Sequence, residues 1–211
     1  MIFDLWETLV DYDPVRGRAF TDQVAARLGR DPEEFAALWN EGRRRRETGP
    51  LRGFVLELVA DEAAADEVVA LRRESTRTML RPRPGAVETL RELRRRGYRL
   101  GLITVCSGDV PELWSETPFT DLFDATVFSC DVGLHKPDPQ IYRLACERLG
   151  VAPEEAMFVG DGANDELAGA ERVGMRAVLI HRPGQEPPWD EVRDWHGPRI
   201  TTVPELLSVL E

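Results

Sequence analysis

Carboxylate, hydroxyl and ammonium side chains occur at four separated places in this chain, each shortly after an apolar run. They are Asp4, Thr104, Lys136 and the pair Asp161 and Asp165. Carboxylates gathered in one cleft repel one another, so three of them stay ionised together only if a cation compensates. A site built from oxygen ligands favours Mg²⁺, which can neutralise charge on a transferring phosphoryl group. These residue types therefore predict metal-assisted chemistry on a phosphate.

Each of these side chains fits one role in phosphoryl transfer. Asp4 can attack phosphorus as a nucleophile, which forms an aspartyl-phosphate that water then hydrolyses. Lys136 can hold Asp4 and the phosphate together as a compact point charge. The Thr104 hydroxyl and nearby backbone N–H groups can bind the remaining phosphate oxygens. The predicted catalytic residues are Asp4, Thr104 and Lys136, and the predicted substrate-binding residues are Thr104, Val105 and Lys136.

These residues meet only if the apolar runs before them are strands of one sheet. From residue 80 onward, strand-like runs alternate with helical patterns, which predicts βαβ units and a doubly wound α/β fold with a parallel sheet. In such a sheet, ligands bind at the carboxyl ends of the strands. The predicted strands lie at residues 1–3, 98–104, 125–129, 156–159 and 176–181, and the predicted helices between them at 84–97, 137–149 and 164–174.

One long segment interrupts this alternation and has helical patterns throughout. Phe20, Val24 and Leu28 form one apolar helical stripe in it. The sequence Arg-Pro-Arg-Pro at residues 81–84 then forms a stiff return linker. A helical insertion between the first strand and the rest of the sheet is expected to cover the strand ends. The predicted domains are a core of residues 1–12 and 81–211 and a helical cap of residues 13–80.

Composition and charge limit the partners. The chain of 211 residues is 42% hydrophobic and 31% charged, which is typical of a globular protein. Its formal net charge of −11 disfavours nucleic acid and anionic membranes as partners. Three cysteines are too few for a disulfide framework and favour a reducing compartment. The cysteine count therefore predicts a cytoplasmic protein. The phosphate chemistry of the clustered side chains predicts a small phosphorylated molecule as its partner, and the expected assembly is a monomer or a homodimer.

The order Asp, Thr, Lys and Asp-x-x-x-Asp after successive strands resembles the haloacid-dehalogenase-like (HAD) hydrolase superfamily with a small helical cap. The similarity extends over essentially the whole chain. It includes Asp-Leu-Trp-Glu-Thr at residues 4–8, similar to the family signature Asp-x-Asp-Gly-Thr, Lys-Pro-Asp-Pro-x-Ile-Tyr at residues 136–142, and Gly-Ala-x-x-x-Gly-Met at residues 169–175.

The resemblance implies a Rossmann-like core and Mg²⁺ as the cofactor. It also implies phosphatase activity through an aspartyl-phosphate on Asp4. The metal ligands that it implies are Asp4, Asp161 and Asp165 together with the backbone carbonyl of residue 6. Trp6 occupies that position and can still supply the carbonyl, because a backbone group does not depend on the side chain.

The Trp6 side chain is the main departure from the family pattern. In the family's phosphatases an aspartate at this position protonates the leaving oxygen and later activates water. The indole N–H of tryptophan is a donor only, so Trp6 can do neither. Losing a positioned acid/base costs about 10²–10⁴-fold in rate. Glu7 or a cap residue could replace the missing group, the substrate could have a good leaving group, or the enzyme could be slow.

Two alternatives to a Mg²⁺-dependent phosphatase stay open. Halide leaves without a proton, and the family's dehalogenases carry an aromatic residue at the position of Trp6, so a metal-independent 2-haloacid dehalogenase using Asp4 is the first alternative. The acidic pair Asp161 and Asp165 argues against it, because a carboxylate substrate is repelled by further carboxylates. The second alternative is a catalytically weak binding protein with the same fold.

A run of four arginines, Arg43 to Arg46, lies in the predicted cap. Consecutive residues on a helix point in different directions, so at most one or two of them can face the cleft. The others are expected to pair with glutamates on a solvated face.

Overall fold

The computed structural model describes residues 1–181 and 192–210. Within them, six parallel strands form one sheet in the order β3-β2-β1-β4-β5-β6. Because the strand order reverses direction at β1, the carboxyl ends of β1 and β4 border the crevice in which such folds bind ligands. The strands are β1 Ile2–Phe3, β2 Gly101–Thr104, β3 Ala125–Phe128, β4 Met157–Gly160, β5 Arg176–Ile180 and β6 Arg199–Ile200.

The helices belong to two groups, one around the sheet and one between β1 and β2. The second group comprises α1 Pro14–Leu28, α2 Pro32–Glu41, α3 Arg43–Glu47, α4 Leu51–Val59 and α5 Glu62–Met79. The helices around the sheet are α6 Ala86–Arg95, α7 Asp109–Leu113, α8 Ser129–Val132, α9 Pro139–Leu149, α10 Glu166–Arg172 and α11 Leu206–Val209.

Helices cover both faces of the sheet, as the doubly wound prediction requires. Neighbouring strand residues point to opposite faces. Phe3 accordingly lies in one buried cluster with Leu90 and Leu93 of α6, while Ile2 lies in the other with Ile141 of α9. The predicted α/β architecture is therefore confirmed.

The strands differ from the predictions mainly in length. β2 begins at Gly101 rather than at residue 98, because α6 is followed by a turn in which Gly97 has φ +88° and Tyr98 is exposed. The sequence did not predict β6. This strand has two residues, which is too short to carry a periodic signal, and it lies beside β5 at the edge of the sheet.

Helices α1 to α5 have a buried cluster of their own, built around Phe20, Phe35 and Trp39. Two chain segments join them to the sheet, and these segments pair with each other: Val10 forms an antiparallel bridge with Pro82, and Arg83 N donates to Leu9 O at 2.8 Å. These contacts support, as a proposal, a division into a cap of residues 13–80 and a core of residues 1–12 and 81–211. Residues 182–191 and 211 of that core lie outside the described residues.

Among the described helices, none combines the length and the apolar composition needed to cross a membrane.

Candidate active site

Asp4 lies where the central strand ends. Its backbone N–H donates to Val159 O of β4 at 2.9 Å, which continues the parallel ladder to the edge of the sheet. Asp161 follows β4 at the same edge, and the side chains of both aspartates are buried. The sequence predicted that Asp4 and Asp161 lie at neighbouring strand ends, and in the structure their carboxylate oxygens lie within 4.8 Å of each other.

Lys136 reaches the same place from the loop between α8 and α9. Its Nζ lies 2.5 Å from Asp4 Oδ1 and also donates to Glu166 Oε2. Only 3% of the lysine is exposed. One buried ammonium group therefore links the carboxylate of the first strand to a carboxylate at the start of α10.

Glu166 is a site residue that the sequence analysis missed. Asp4, Asp161 and Glu166 each offer one carboxylate oxygen, and these three atoms lie within 4.8 Å of one another. Glu166 Oε1 also accepts from Gly162 N at 3.0 Å. A Cβ atom at Gly160 would lie 2.0 Å from this Oε1, so glycine is needed there for Glu166 to enter. Helical spacing in the sequence could have identified Glu166. It lies four residues before Ala170 and seven before Val173, so all three share one helical face, and the two apolar residues are buried.

The structure does not bring Asp165 into this acidic cluster. Its carboxylate accepts from Arg172 Nη1 at 2.9 Å and is 41% exposed. Asn164 and Asp165 both have left-handed backbone conformations, with φ of 56° and 54°. This local twist places Glu166, rather than its neighbour, toward Lys136. A metal-binding role for Asp165 stays a prediction.

Burial and mutual repulsion shape the charges of this site. Burial raises the pKa of Asp4, and Asp161 adds to the rise, while Lys136 opposes it. Burial also raises the pKa of Glu166 well above its ordinary value. Lys136 opposes this rise, while the negative charges of Asp4 and Asp161 add to it. Burial disfavours the charge on Lys136, but Asp4 and Glu166 outweigh this effect and raise the pKa of Lys136. The site therefore holds more acid than one lysine can neutralise, and protons or a cation must supply the difference.

The loop after β2 forms the next wall. Val105, Cys106 and Ser107 line a cavity of about 430 Å³ that also contains Asp4 and Lys136. Thr104 is fully buried and does not line this cavity. Its hydroxyl has no hydrogen-bond partner within the described part of the chain, and an unpaired buried hydroxyl is costly. Val105 therefore lines the cavity, whereas the preceding residue, Thr104, is buried and does not line it.

Trp6 lines the cavity beside Asp4, in edge-to-face contact with Tyr12 at 6.2 Å between ring centroids. Glu7 also borders the cavity, but its carboxylate is engaged elsewhere. Glu7 Oε1 accepts from Tyr12 N at 2.6 Å, and Oε2 accepts from Arg83 Nη2 at 2.9 Å. Both oxygens therefore bind the segments that join cap and core, which disfavours Glu7 as a replacement acid.

Helices from the group α1 to α5 line another side of the cavity. They contribute Arg18, Trp39, Asn40, Arg43, Arg46 and Arg72 to the lining, together with one acidic residue, Glu47. Of the four consecutive arginines, two face the cavity, as the helical geometry predicted. A cavity with carboxylates on the core side and guanidinium groups on the cap side suits a small anionic molecule.

Glu47 at the end of α3 holds the cap against the core. Its backbone carbonyl accepts from Ser129 Oγ at 2.6 Å, and its carboxylate lies 3.2 Å from His135 Nε2 and 2.8 Å from Arg43 Nε. Burial opposes the charge of Glu47, but the contacts with His135 and Arg43 outweigh it and lower the pKa of this carboxyl. Because His135 precedes Lys136, this contact joins α3 to the loop that carries Lys136.

Comparison with known proteins gives a consistent family assignment. A family model described as haloacid dehalogenase-like hydrolase matches residues 1–174. The chain is 36% identical over 138 residues to a glyceraldehyde 3-phosphate phosphatase of Pyrococcus furiosus, covering 64% of this chain and 56% of that protein. It is 34% identical over 176 residues to a phosphoserine phosphatase of Thermus thermophilus, covering 79% and 66%. The chain thus spans little more than half the length of the first of these relatives.

Two solved structures match almost the entire chain. A HAD phosphatase from Thermococcus onnurineus superposes with a TM-score of 0.74 at 27% identity, covering 99% of this chain and 96% of that one. A 2-haloacid dehalogenase from Pseudomonas syringae pv. Tomato superposes with a TM-score of 0.78, also at 27% identity and with the same coverage. The fold is thus shared by proteins named for two different reactions.

Proposed function

The chain belongs to the haloacid dehalogenase-like hydrolase family, and we propose that it is a Mg²⁺-dependent phosphatase of small phosphorylated metabolites acting through Asp4. The observation that carries this proposal is the contact of Lys136 with both Asp4 and Glu166, beside Asp161, at the end of the central strand. The similarity to proteins named as phosphatases supports it.

The ligand set of the site fits Mg²⁺. Asp4, Asp161 and Glu166 offer three carboxylate oxygens close together, and Mg²⁺ binds such hard oxygen ligands. Their three negative charges exceed the single charge of Lys136, so a divalent cation removes a real repulsion. These residues and the backbone carbonyl of Trp6 would hold the ion, whereas the charge of Asp165 is balanced by Arg172. When bound, Mg²⁺ would neutralise charge on the phosphate oxygens.

The chain's own residues then divide the reaction into two steps. An oxygen of Asp4 forms a bond to phosphorus while the bond from phosphorus to the leaving oxygen breaks, and the phosphoryl group moves to Asp4. Lys136 keeps Asp4 oriented and balances its charge. Water then attacks phosphorus, which releases phosphate and restores the carboxylate. The leaving oxygen takes its proton from solvent, because Trp6 cannot supply one.

We also propose a cytoplasmic location. Three cysteines in 211 residues are too few for a disulfide framework, and all three are free in the structure. Free thiols are usual in a reducing compartment.

Hydrolysis of p-nitrophenyl phosphate with and without Mg²⁺ tests the proposal. We expect turnover with Mg²⁺, its loss in the presence of chelator, and its abolition in Asp4→Asn. Asp121→Asn is the matched control, because Asp121 is exposed and does not line the cavity. Turnover that persists in chelator, or in Asp4→Asn, would overturn the proposed mechanism.

The second candidate is a 2-haloacid dehalogenase. The aromatic Trp6 beside Asp4 and the similarity to the Pseudomonas syringae protein favour it. The three clustered carboxylates oppose it, because they repel a carboxylate substrate without a metal ion. Chloride release from 2-chloropropionate in the presence of chelator would establish this reaction in place of phosphate hydrolysis.

A further inference from the structure

Arg46 differs from the other arginines of the cavity. Arg18 pairs with Glu33 at 2.6 Å, Arg43 with Glu47 at 2.8 Å, and Arg72 with Asp109 at 3.1 Å. No carboxylate lies within 4.0 Å of the Arg46 guanidinium anywhere in residues 1–181 and 192–210. Arg46 is thus a cavity-lining cation without an acidic partner.

Arg46 is also buried, with 8% of its surface exposed. Its guanidinium carbon lies 4.5 Å from the ring centroid of Trp39 and 5.9 Å from that of Phe54, and Nη1 donates to the carbonyl of Trp39. The aromatic rings hold the group in place by cation–π attraction, which compensates only part of its lost hydration. A buried charge that lacks a counter-ion is expected to gain one from a ligand.

Neighbouring charges strengthen this expectation. Burial lowers the pKa of Arg46 to about 10; the positive charges of Arg72 and Arg43 contribute to the decrease, and the negative charges of Glu47 and Asp109 offset only part of it. Arg46 still carries its proton at neutral pH, so an anion bound there would compensate the charge that Arg43 and Arg72, each paired with its own carboxylate, do not. The remaining guanidinium N–H groups suit a planar carboxylate, which accepts two parallel hydrogen bonds.

We propose that Arg46 binds a carboxylate of the substrate, so that the preferred substrates are phosphorylated carboxylic acids. This inference rests on the proposed function and specifies its substrate class. Arg46 belongs to the cap, whereas Asp4 and Lys136 belong to the core, so the two ends of the cavity bind two different groups of one molecule. The contact between Glu47 and His135 connects these ends, because Glu47 follows Arg46 and His135 precedes Lys136.

Binding of paired phosphonates tests this inference without requiring turnover. The acids phosphonoacetate, 3-phosphonopropionate and 4-phosphonobutyrate are compared by calorimetry, in the presence of Mg²⁺, with ethyl-, propyl- and butylphosphonate. We expect at least one acid to bind about 10- to 100-fold more tightly than the alkylphosphonate that lacks its carboxylate. This ratio corresponds to the free energy of one charged hydrogen-bonded pair. The chain length that shows the largest ratio measures the span from Lys136 to Arg46.

Arg46→Met is expected to abolish this preference, and Arg46→Lys to restore part of it, because lysine retains the charge but not the planar fork. Arg45→Met is the matched control and should keep the full preference, since Arg45 pairs with Glu57 on the exposed surface. If Arg46→Met does not fold, Arg46→Lys alone must still show a reduced ratio.

The outcomes separate the two proposals. Equal binding of acid and alkyl phosphonates at every length, or an unchanged ratio in the Arg46 variants, overturns the role of Arg46 and leaves the phosphate site intact. Absence of binding by both series overturns the phosphate site of the proposed function and the role of Arg46 with it.

Discussion

Lys136 Nζ lies 2.5 Å from Asp4 Oδ1, with both side chains buried, and the same nitrogen donates to Glu166. The three groups come from distant parts of the sequence, so this contact joins β1, α10 and the loop before α9. A single cation therefore supports both the geometry of the nucleophile and the packing of these elements.

Replacing Lys136 with methionine should destabilise the protein by about 3–5 kcal/mol, because two buried carboxylates lose their cation. Urea denaturation in Mg²⁺-free buffer measures this change in the free energy of unfolding. Arg44→Met, at an exposed position, should change it by less than about 0.5 kcal/mol. A loss below about 1 kcal/mol for Lys136→Met would show that the carboxylates do not depend on the lysine.

Stability should fall with rising pH when no metal is bound. The pKa of Glu166 is raised well above its ordinary value of 4.5, so the folded protein keeps a proton that the unfolded chain releases. Because the unfolded state then binds fewer protons, the free energy of unfolding decreases from about pH 4.5 up to the raised pKa. Mg²⁺ binds the ionised carboxylates and should reverse the trend. Melting temperatures measured across this pH range, with and without Mg²⁺, give the two pH dependences of stability. Glu166→Gln should flatten the pH dependence that is measured without metal. An unchanged pH dependence in that variant would show that Glu166 is not the titrating group.

Mg²⁺ affinity should distinguish Glu166 from its neighbour. We expect Glu166→Gln to weaken Mg²⁺ binding by about 10- to 100-fold, because it removes a ligand oxygen and its charge. Asp165→Asn should have a much smaller effect, since its carboxylate pairs with Arg172. Calorimetric titration with MgCl₂ compares the two variants, and the reverse order would return Asp165 to the metal site.

Trp6→Asp should accelerate phosphate release. It supplies a titratable group beside the leaving oxygen, and a positioned acid/base contributes about 10²–10⁴-fold. Trp6→Asn is the matched control, since it makes the same cavity without a proton to donate. Steady-state hydrolysis of p-nitrophenyl phosphate with Mg²⁺ provides the rates. An equal rate in both variants would mean that the space opened by removing indole, and not acid catalysis, determines the result.

Arg83→Gln should loosen the connection between cap and core. Arg83 is buried and donates to Glu7, to Asp11 at 2.6 Å and to the carbonyl of Thr8. Losing these charged hydrogen bonds should cost about 1–3 kcal/mol. Thermal unfolding measures the effect, with Arg81→Gln, an exposed position in the same linker, as control. Equal melting temperatures for the two variants would count against a structural role of Arg83.

The sequence by itself determined the α/β order, the helical insertion and the placement of Asp4 and Asp161 at strand ends, whereas Lys136 reaches the site from the loop between α8 and α9. These features follow from local periodicity and from the rule that parallel strands end at one edge. A carboxylate directly after a strand cannot be far from that edge, whatever the loops do. For the same reason, the two-residue strand β6 carried no pattern and was missed.

Only the tertiary structure decided between adjacent residues. Successive positions on a helix differ by about 100° in direction, so the start of α10 determines whether Asp165 or Glu166 faces Lys136. Asn164 and Asp165, which both have left-handed backbone conformations, set that start, and the sequence analysis did not predict these conformations. Among Arg43 to Arg46, likewise, packing against Trp39 selects Arg46 as the buried cation. The direction in which a helical side chain points, and the residue that it pairs with, depend on the elements that pack against it. Those elements come together only in the tertiary structure.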